Sequence, residues 1–132
     1  MKLYLCGGGS SKQIISALLS FSNNLDKSKP ILYVPLAMDE SRYNSCNNWF
    51  KEEIKYIGLS NFEMVRSSEE LSMKNLYNYS AIFIGGGNTY KLLYELKQNN
   101  NFEKIGNYLK NNGIVFGLSL IHISEPTRLA LI

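Results

Sequence analysis

Ala81-Ile82-Phe83-Ile84-Gly85-Gly86-Gly87-Asn88-Thr89 is the stretch on which the reading of this chain turns. Four apolar residues stop at three glycines, and a helical pattern starts just after. A short apolar run bounded by turn residues reads as a strand covered on both faces. Glycines at its end leave backbone N–H groups with no side chain over them. Asn88 or Thr89 is placed to cap the following helix. Such a strand–turn–helix corner suits an anion or a developing oxyanion. A tight turn in an α/β protein would use the same glycines, and by itself that plainer reading is as good.

Similar elements lie on either side. Residues 2–6 (Lys-Leu-Tyr-Leu-Cys) form a short strand that also ends in three glycines, Gly7, Gly8 and Gly9. Ser10 and Gln13 then have capping-box spacing, and Ile14, Ile15, Leu18 and Leu19 recur with helical period. After a polar connection, Ile31-Leu32-Tyr33-Val34 is a second strand, closed by Pro35, which cannot donate to a ladder. A loop over 36–42 carries Asp39, Glu40 and Arg42. The pattern predicts a helix over 43–57, with Trp49, Phe50, Ile54 and Ile57 on one face and Gly58 at C′. Residues 62–65 are a weaker strand. Ser67 and Glu70 open a short helix through Leu71 and Leu76. Beyond the corner, Leu92, Leu93 and Leu96 face inward, as do Ile105, Tyr108 and Leu109 on a helix over 102–111. Asn112-Gly113 ends that helix, and Ile114-Val115-Phe116 is a fifth strand.

Short apolar strands alternating with helices predict an α/β fold, a parallel sheet with helices on both faces. Ligands gather at the carboxyl ends of strands in such sheets. Both triple-glycine turns and Gly117 belong to that rim, which is a more specific signal than any one of them.

The 132 residues predict one domain with a real core. A net charge of +3, scattered along the chain, gives no basis for nucleic-acid binding. Two cysteines without metal-ligand spacing read as reduced thiols, which places the protein in the cytoplasm. No secretory signal opens the sequence, and no apolar run approaches the ~20 residues of a membrane span.

The run Leu118-Ser119-Leu120-Ile121-His122-Ile123-Ser124-Glu125-Pro126-Thr127-Arg128 fits neither period. It matches, residue for residue, one reading frame of a transposase-type sequencing adapter. The expected organisation is therefore a C-terminally truncated α/β domain over 1–117 and an artefactual tail over 118–132. His122, the single histidine, receives no functional role.

Gly7-Gly8-Gly9, the run over 31–39 (Ile-Leu-Tyr-Val-Pro-Leu-Ala-Met-Asp) and above all the run over 84–90 (Ile-Gly-Gly-Gly-Asn-Thr-Tyr) resemble the aspartyl dipeptidase and cyanophycinase family of serine peptidases. The resemblance spans roughly residues 1–117. It implies a flavodoxin-like, class I glutamine amidotransferase-like fold. It implies a nucleophilic serine in a Gly-x-Ser-Ala-Gly elbow after a strand like 114–116, and a histidine and an acidic residue farther on. Carried over, Gly86, Gly87 and Asn88 are the oxyanion and substrate-binding candidates, and Gly117 matches the elbow's first glycine. Ser119 falls at the nucleophile position, but Leu120 and Ile121 replace the small residues of the elbow. No histidine and acid outside the adapter-like run follow it, and a serine without a general base is a poor nucleophile.

The resemblance implies a serine-type exopeptidase, dipeptidase-like, that hydrolyses short peptides through an acyl-enzyme, with no metal or organic cofactor and no nucleic-acid or membrane partner. This chain is expected to be inactive. The alternative is a flavodoxin-like module binding a nucleotide or flavin phosphate, though no acidic residue is well placed for a ribose. A non-catalytic amidotransferase-like domain acting through a partner is a third reading. Asp39 and Glu40 could meet a peptide amine, though loop carboxylates are commonly just solvated. Trp49, Phe50 and Cys6 read as core.

Overall fold

The computed structural model describes residues 2–6, 20, 22, 23 and 25–118, with residues 2–6 and 118 as backbone only. The first glycine corner, the helix expected after Ser10, and Ser119 with the rest of the tail lie outside the described residues.

The apolar runs form five strands: β1 Lys2–Cys6, β2 Ile31–Val34, β3 Phe62–Met64, β4 Ala81–Ile84 and β5 Ile114–Leu118. They make one sheet in the order β1-β5-β4-β2-β3, and every pairing is parallel. Four helices have described bounds: α1 Tyr43–Lys55, α2 Ser68–Met73, α3 Thr89–Lys97 and α4 Asn101–Lys110.

Alternation along the strands sorts the core into two layers. Leu32, Val34, Ile82, Ile84 and Val115 face α2, α3 and α4, where they meet Leu71, Leu92, Leu96, Ile105 and Leu109. Ile31, Tyr33, Phe83 and Phe116 face α1 through Cys46, Phe50 and Ile54. Phe83 and Phe116 are register neighbours, and their rings stack at 4.8 Å. Tyr33 stacks on Phe50 at 4.2 Å. Burying one such side chain contributes roughly 1.5–3 kcal/mol.

The helix ends follow local chemistry. Past α1, Gly58 has φ +77°, its N–H donates to Lys55 O and the Leu59 N–H donates to Ile54 O. That is a Schellman closure with Gly58 at C′, as the sequence suggests. Ser67 Oγ accepts from the Glu70 N–H at 3.1 Å, while the Glu70 carboxylate accepts from the Arg66 N–H at 3.4 Å. The helix so capped ends at Met73, short of Leu76, which starts a separate 3-10 turn over Leu76–Asn78. Lys104 explains the stop. From α4 its ammonium donates to Leu71 O at 3.1 Å, to Ser72 O at 2.8 Å and to Lys74 O, so it caps the carboxyl end of α2 from outside. Between α3 and α4 the chain breaks at Asn99 and Asn100, both left-handed, a conformation asparagine tolerates.

Trp49 departs from its expected place. It is 39% exposed and lies beside the buried stripe of Tyr43, Cys46, Phe50 and Ile54. One residue is a 100° step round a helix, which sets Trp49 at the edge of the stripe centred on Phe50. Its ring closes the rim of the aromatic cluster, 6.3 Å from both Tyr33 and Phe50.

The strand order has a reversal at its centre. From β2 the chain moves outward to β3, and from β4 it moves the other way to β5. Helix α1 and the pair α3–α4 cover opposite faces. The carboxyl ends of β2 and β4 therefore flank a topological switch point, where open α/β sheets form their ligand crevice.

Candidate active site

The glycine corner sits on that crevice. The Gly85 N–H donates to Val34 O at 3.0 Å, extending the ladder one residue past β4. Gly85 is buried against Tyr33, and a Cβ there would lie 3.2 Å from the phenol oxygen. Gly87 has φ +148°, and its missing Cβ would fall 2.6 Å from Ala37 O. The next amide, Asn88 N–H, donates to that same oxygen at 2.9 Å. Asn88 Oδ1 accepts from the Tyr90 N–H at 2.9 Å and the Lys91 N–H at 3.2 Å, so Asn88 rather than Thr89 is the cap.

These bonds account for the ends of the corner but not its middle. The N–H groups of Gly86 and Gly87 have no hydrogen-bond partner among the described residues. Gly86 is half-buried and Gly87 exposed, at the amino end of nine-residue α3. Two free amides beside a helix N-terminus favour a negative charge.

Register fixes the neighbours of the corner. Gly117 pairs with Ile84 on one side and with Leu5 on the other, and Leu118 pairs with Cys6. All three strands run parallel, so β1, β5 and β4 deliver their carboxyl ends to one rim in adjacent positions. The strand ends expected to converge do converge. The positions of Gly7 to Gly9 and of Ser119 lie outside the described residues.

Sequence reasoning missed the support beneath the corner. Lys91 Nζ donates to Leu36 O at 2.7 Å and to the Tyr43 hydroxyl at 3.4 Å, and lies 3.8 Å from Glu95. The ammonium ties the first turn of α3 to the loop whose Ala37 carbonyl holds Asn88. Nothing in the local pattern singles Lys91 out, because its partner is 55 residues away. Burial pushes the Tyr43 phenol up to about 12, with Glu95, Glu40, Cys46 and Asp39 adding to the effect. Asp39 and Glu40 are exposed, and Asp39 accepts from Ser41 Oγ at 3.1 Å. Cys46 is buried under Tyr33, a structural thiol.

Among the described residues no His, Cys, Asp and Glu side chains group as a metal site would require, and no helix is long and apolar enough to cross a membrane.

An all-parallel sheet covered on both faces, with bare amides on its carboxyl rim at the switch point, defines an α/β protein of the glutamine amidotransferase-like kind. The sequence profile of peptidase family S51 matches residues 3–120, and the chain belongs to that family of serine peptidases. The crystal structure of a peptidase E protein from Listeria monocytogenes EGD-e is similar, with 25% identity and a TM-score of 0.70 over 98% of this chain and 70% of that one. The structure of a peptidase from an acI-B1 Actinobacterium shares the fold at 20% identity, with a TM-score of 0.64 over 89% of this chain and 53% of that one. No curated protein sequence matches. The chain thus spans a little over two thirds of one solved relative and about half of the other. The family match runs three residues past Gly117, and β5 runs one residue past it.

Proposed function

We propose that the natural protein is a serine exopeptidase of dipeptidase type acting on short peptides, and that the Gly86 and Gly87 amides form its oxyanion site. The single observation that carries this is the pair of amides, unpartnered among the described residues, next to the end of β5, the strand that leads to the nucleophile position in the family. In the reaction the serine Oγ attacks the scissile carbonyl carbon as a base takes its proton. The carbonyl oxygen becomes an oxyanion, which the two preorganised amides stabilise. The C–N bond then breaks, the amine leaves with the proton, and water hydrolyses the acyl-enzyme. Asn88 holds the corner's geometry through its cap and borders the substrate.

Residues 118–132 are, on this proposal, not native, and the chain as it stands is inactive. Ser119 is followed by Leu120 and Ile121, whose side chains do not suit the tight elbow, and the base is missing. Cytoplasmic location follows from the thiol reading of Cys6 and Cys46. Family membership favours peptide hydrolysis over the nucleotide-phosphate alternative.

The test uses the natural DNA downstream of the Gly117 codon and a fluorophosphonate probe. A Gly-x-Ser-Ala-Gly elbow with a later histidine is expected. The probe should label the elbow serine of the restored chain and leave Ser119 of the present chain unlabelled. A natural sequence with neither motif nor histidine overturns the proposal.

A further inference from the structure

Beside the corner lies a cavity of about 420 Å³, between the loop after β2, the turn after β3 and the outer side of α3. Its aromatic walls are Tyr43, which is buried, and Tyr94, which is 64% exposed. Both cations that line it are engaged. Lys91 holds Leu36 O and Glu95, and the Arg66 guanidinium donates to Asn44 Oδ1 at 3.0 Å. Asp39, Glu40 and Glu69 also line it and form no ion pair among the described residues. The cavity is thus concave, with the Tyr43 ring already facing the Lys91 ammonium at 5.8 Å and the Tyr94 ring exposed, and its four carboxylates outnumber its two cations, a combination that selects a further cation. It stands at the switch point, where a ligand crevice is expected on topology alone.

We propose that this cavity binds a positively charged group of the peptide, either its α-ammonium or a lysine or arginine side chain, while the amide to be cut lies over Gly86 and Gly87. The inference rests on the peptidase reading for the ligand being a peptide. Distance sets which peptides reach it. Along α3, at ~1.5 Å per residue, the lining runs from ~4.5 Å beyond Asn88 at Lys91 to ~10 Å at Glu95. An extended peptide rises ~3.3 Å per residue, so a cation about one to three residues from the scissile bond fills the cavity. Lys91 both lines the cavity and, from α3, holds the loop that seats Asn88. Occupation of the cavity therefore bears directly on the corner's geometry.

The test is an amide-resolved NMR titration of the 132-residue chain with three probes. These are Ala-Ala-Ala amide, its N-acetyl form, and N-acetyl-Ala-Lys-Ala amide. The first and third should shift the amides of Tyr43, Ser68, Lys91 and Tyr94, and the acetylated neutral peptide should not. Whichever cationic probe binds tighter names the source of the charge. Asp39→Asn combined with Glu40→Gln, both at exposed positions, should weaken binding by about threefold to tenfold, and added salt should weaken it too. The inference is overturned if no probe moves those amides, if the neutral peptide binds equally well, or if the double variant binds unchanged. Serine labelling is scored separately. Cavity binding without labelling of the restored chain sinks only the peptidase reading, and labelling without cavity binding sinks only this one.

Discussion

The α-carbon of Gly87 faces the carbonyl oxygen of Ala37 so closely that a methyl group on it would sit 2.6 Å from that oxygen. The same carbonyl accepts the Asn88 N–H at 2.9 Å. The corner is therefore clamped between β4 and the loop after β2, and its third glycine is fixed by contact as well as by its φ of +148°.

Gly87→Ala should for that reason destabilise the fold by about 1–3 kcal/mol, because backbone, not a flexible side-chain tip, has to move. Urea midpoints compared with the parent chain check this. A midpoint equal to the parent's would mean the clamp is loose.

Asn88 separates two roles that coincide at one residue. Asn88→Ala removes the acceptor for the Tyr90 and Lys91 amides and should cost about 1 kcal/mol. Asn88→Asp keeps the acceptor and puts a carboxylate at a helix N-terminus, so stability should stay within about 0.5 kcal/mol of the parent. Thermal melts of both variants decide the matter. A cap-neutral Asn88→Ala variant would leave substrate contact as the residue's only role.

Lys91→Met should cost about 1.5–2 kcal/mol, since it removes a charge-assisted bond and leaves the buried Leu36 carbonyl unpaired. Its more telling effect should be local. Hydrogen exchange at the Asn88 amide, which is held by Ala37, should speed up before exchange in β4 does. Equal protection in both places would show that Lys91 does not seat the loop.

Alkaline stability should report on Tyr79. Burial, then its 2.5 Å hydrogen bond to Glu63, pushes this phenol from 10.0 up to about 12. Below pH 10.0 both folded and unfolded chains keep the proton, and the contribution is fully present. Between 10.0 and about 12 the unfolded chain loses it first, so stability falls as pH rises. Tyr79→Phe should flatten that fall by one proton. Tyr43, also raised to about 12, keeps part of the slope in place. Denaturant melts at several alkaline pH values measure it, and an unchanged slope would mean that Tyr79 titrates normally.

The strands, the caps and the corner are legible in local sequence. Residues 31–34 and 81–84 are apolar throughout because both faces are covered, and glycine or asparagine marks each turn that requires an unusual φ. Ser67, Gly58 and Asn88 act over two to five residues, and short-range bonds of this kind are written in spacing. The limits of local reading show at Met73, where α2 is capped by Lys104 from another helix, and at Trp49, which a one-residue step round α1 turns toward solvent. Long-range packing brings Lys91 to Leu36, presses Ala37 on Gly87, and sets Asp39 and Tyr94 round one cavity. Those contacts join segments dozens of residues apart, and a parallel sheet brings them together only through its strand order, which no local period encodes.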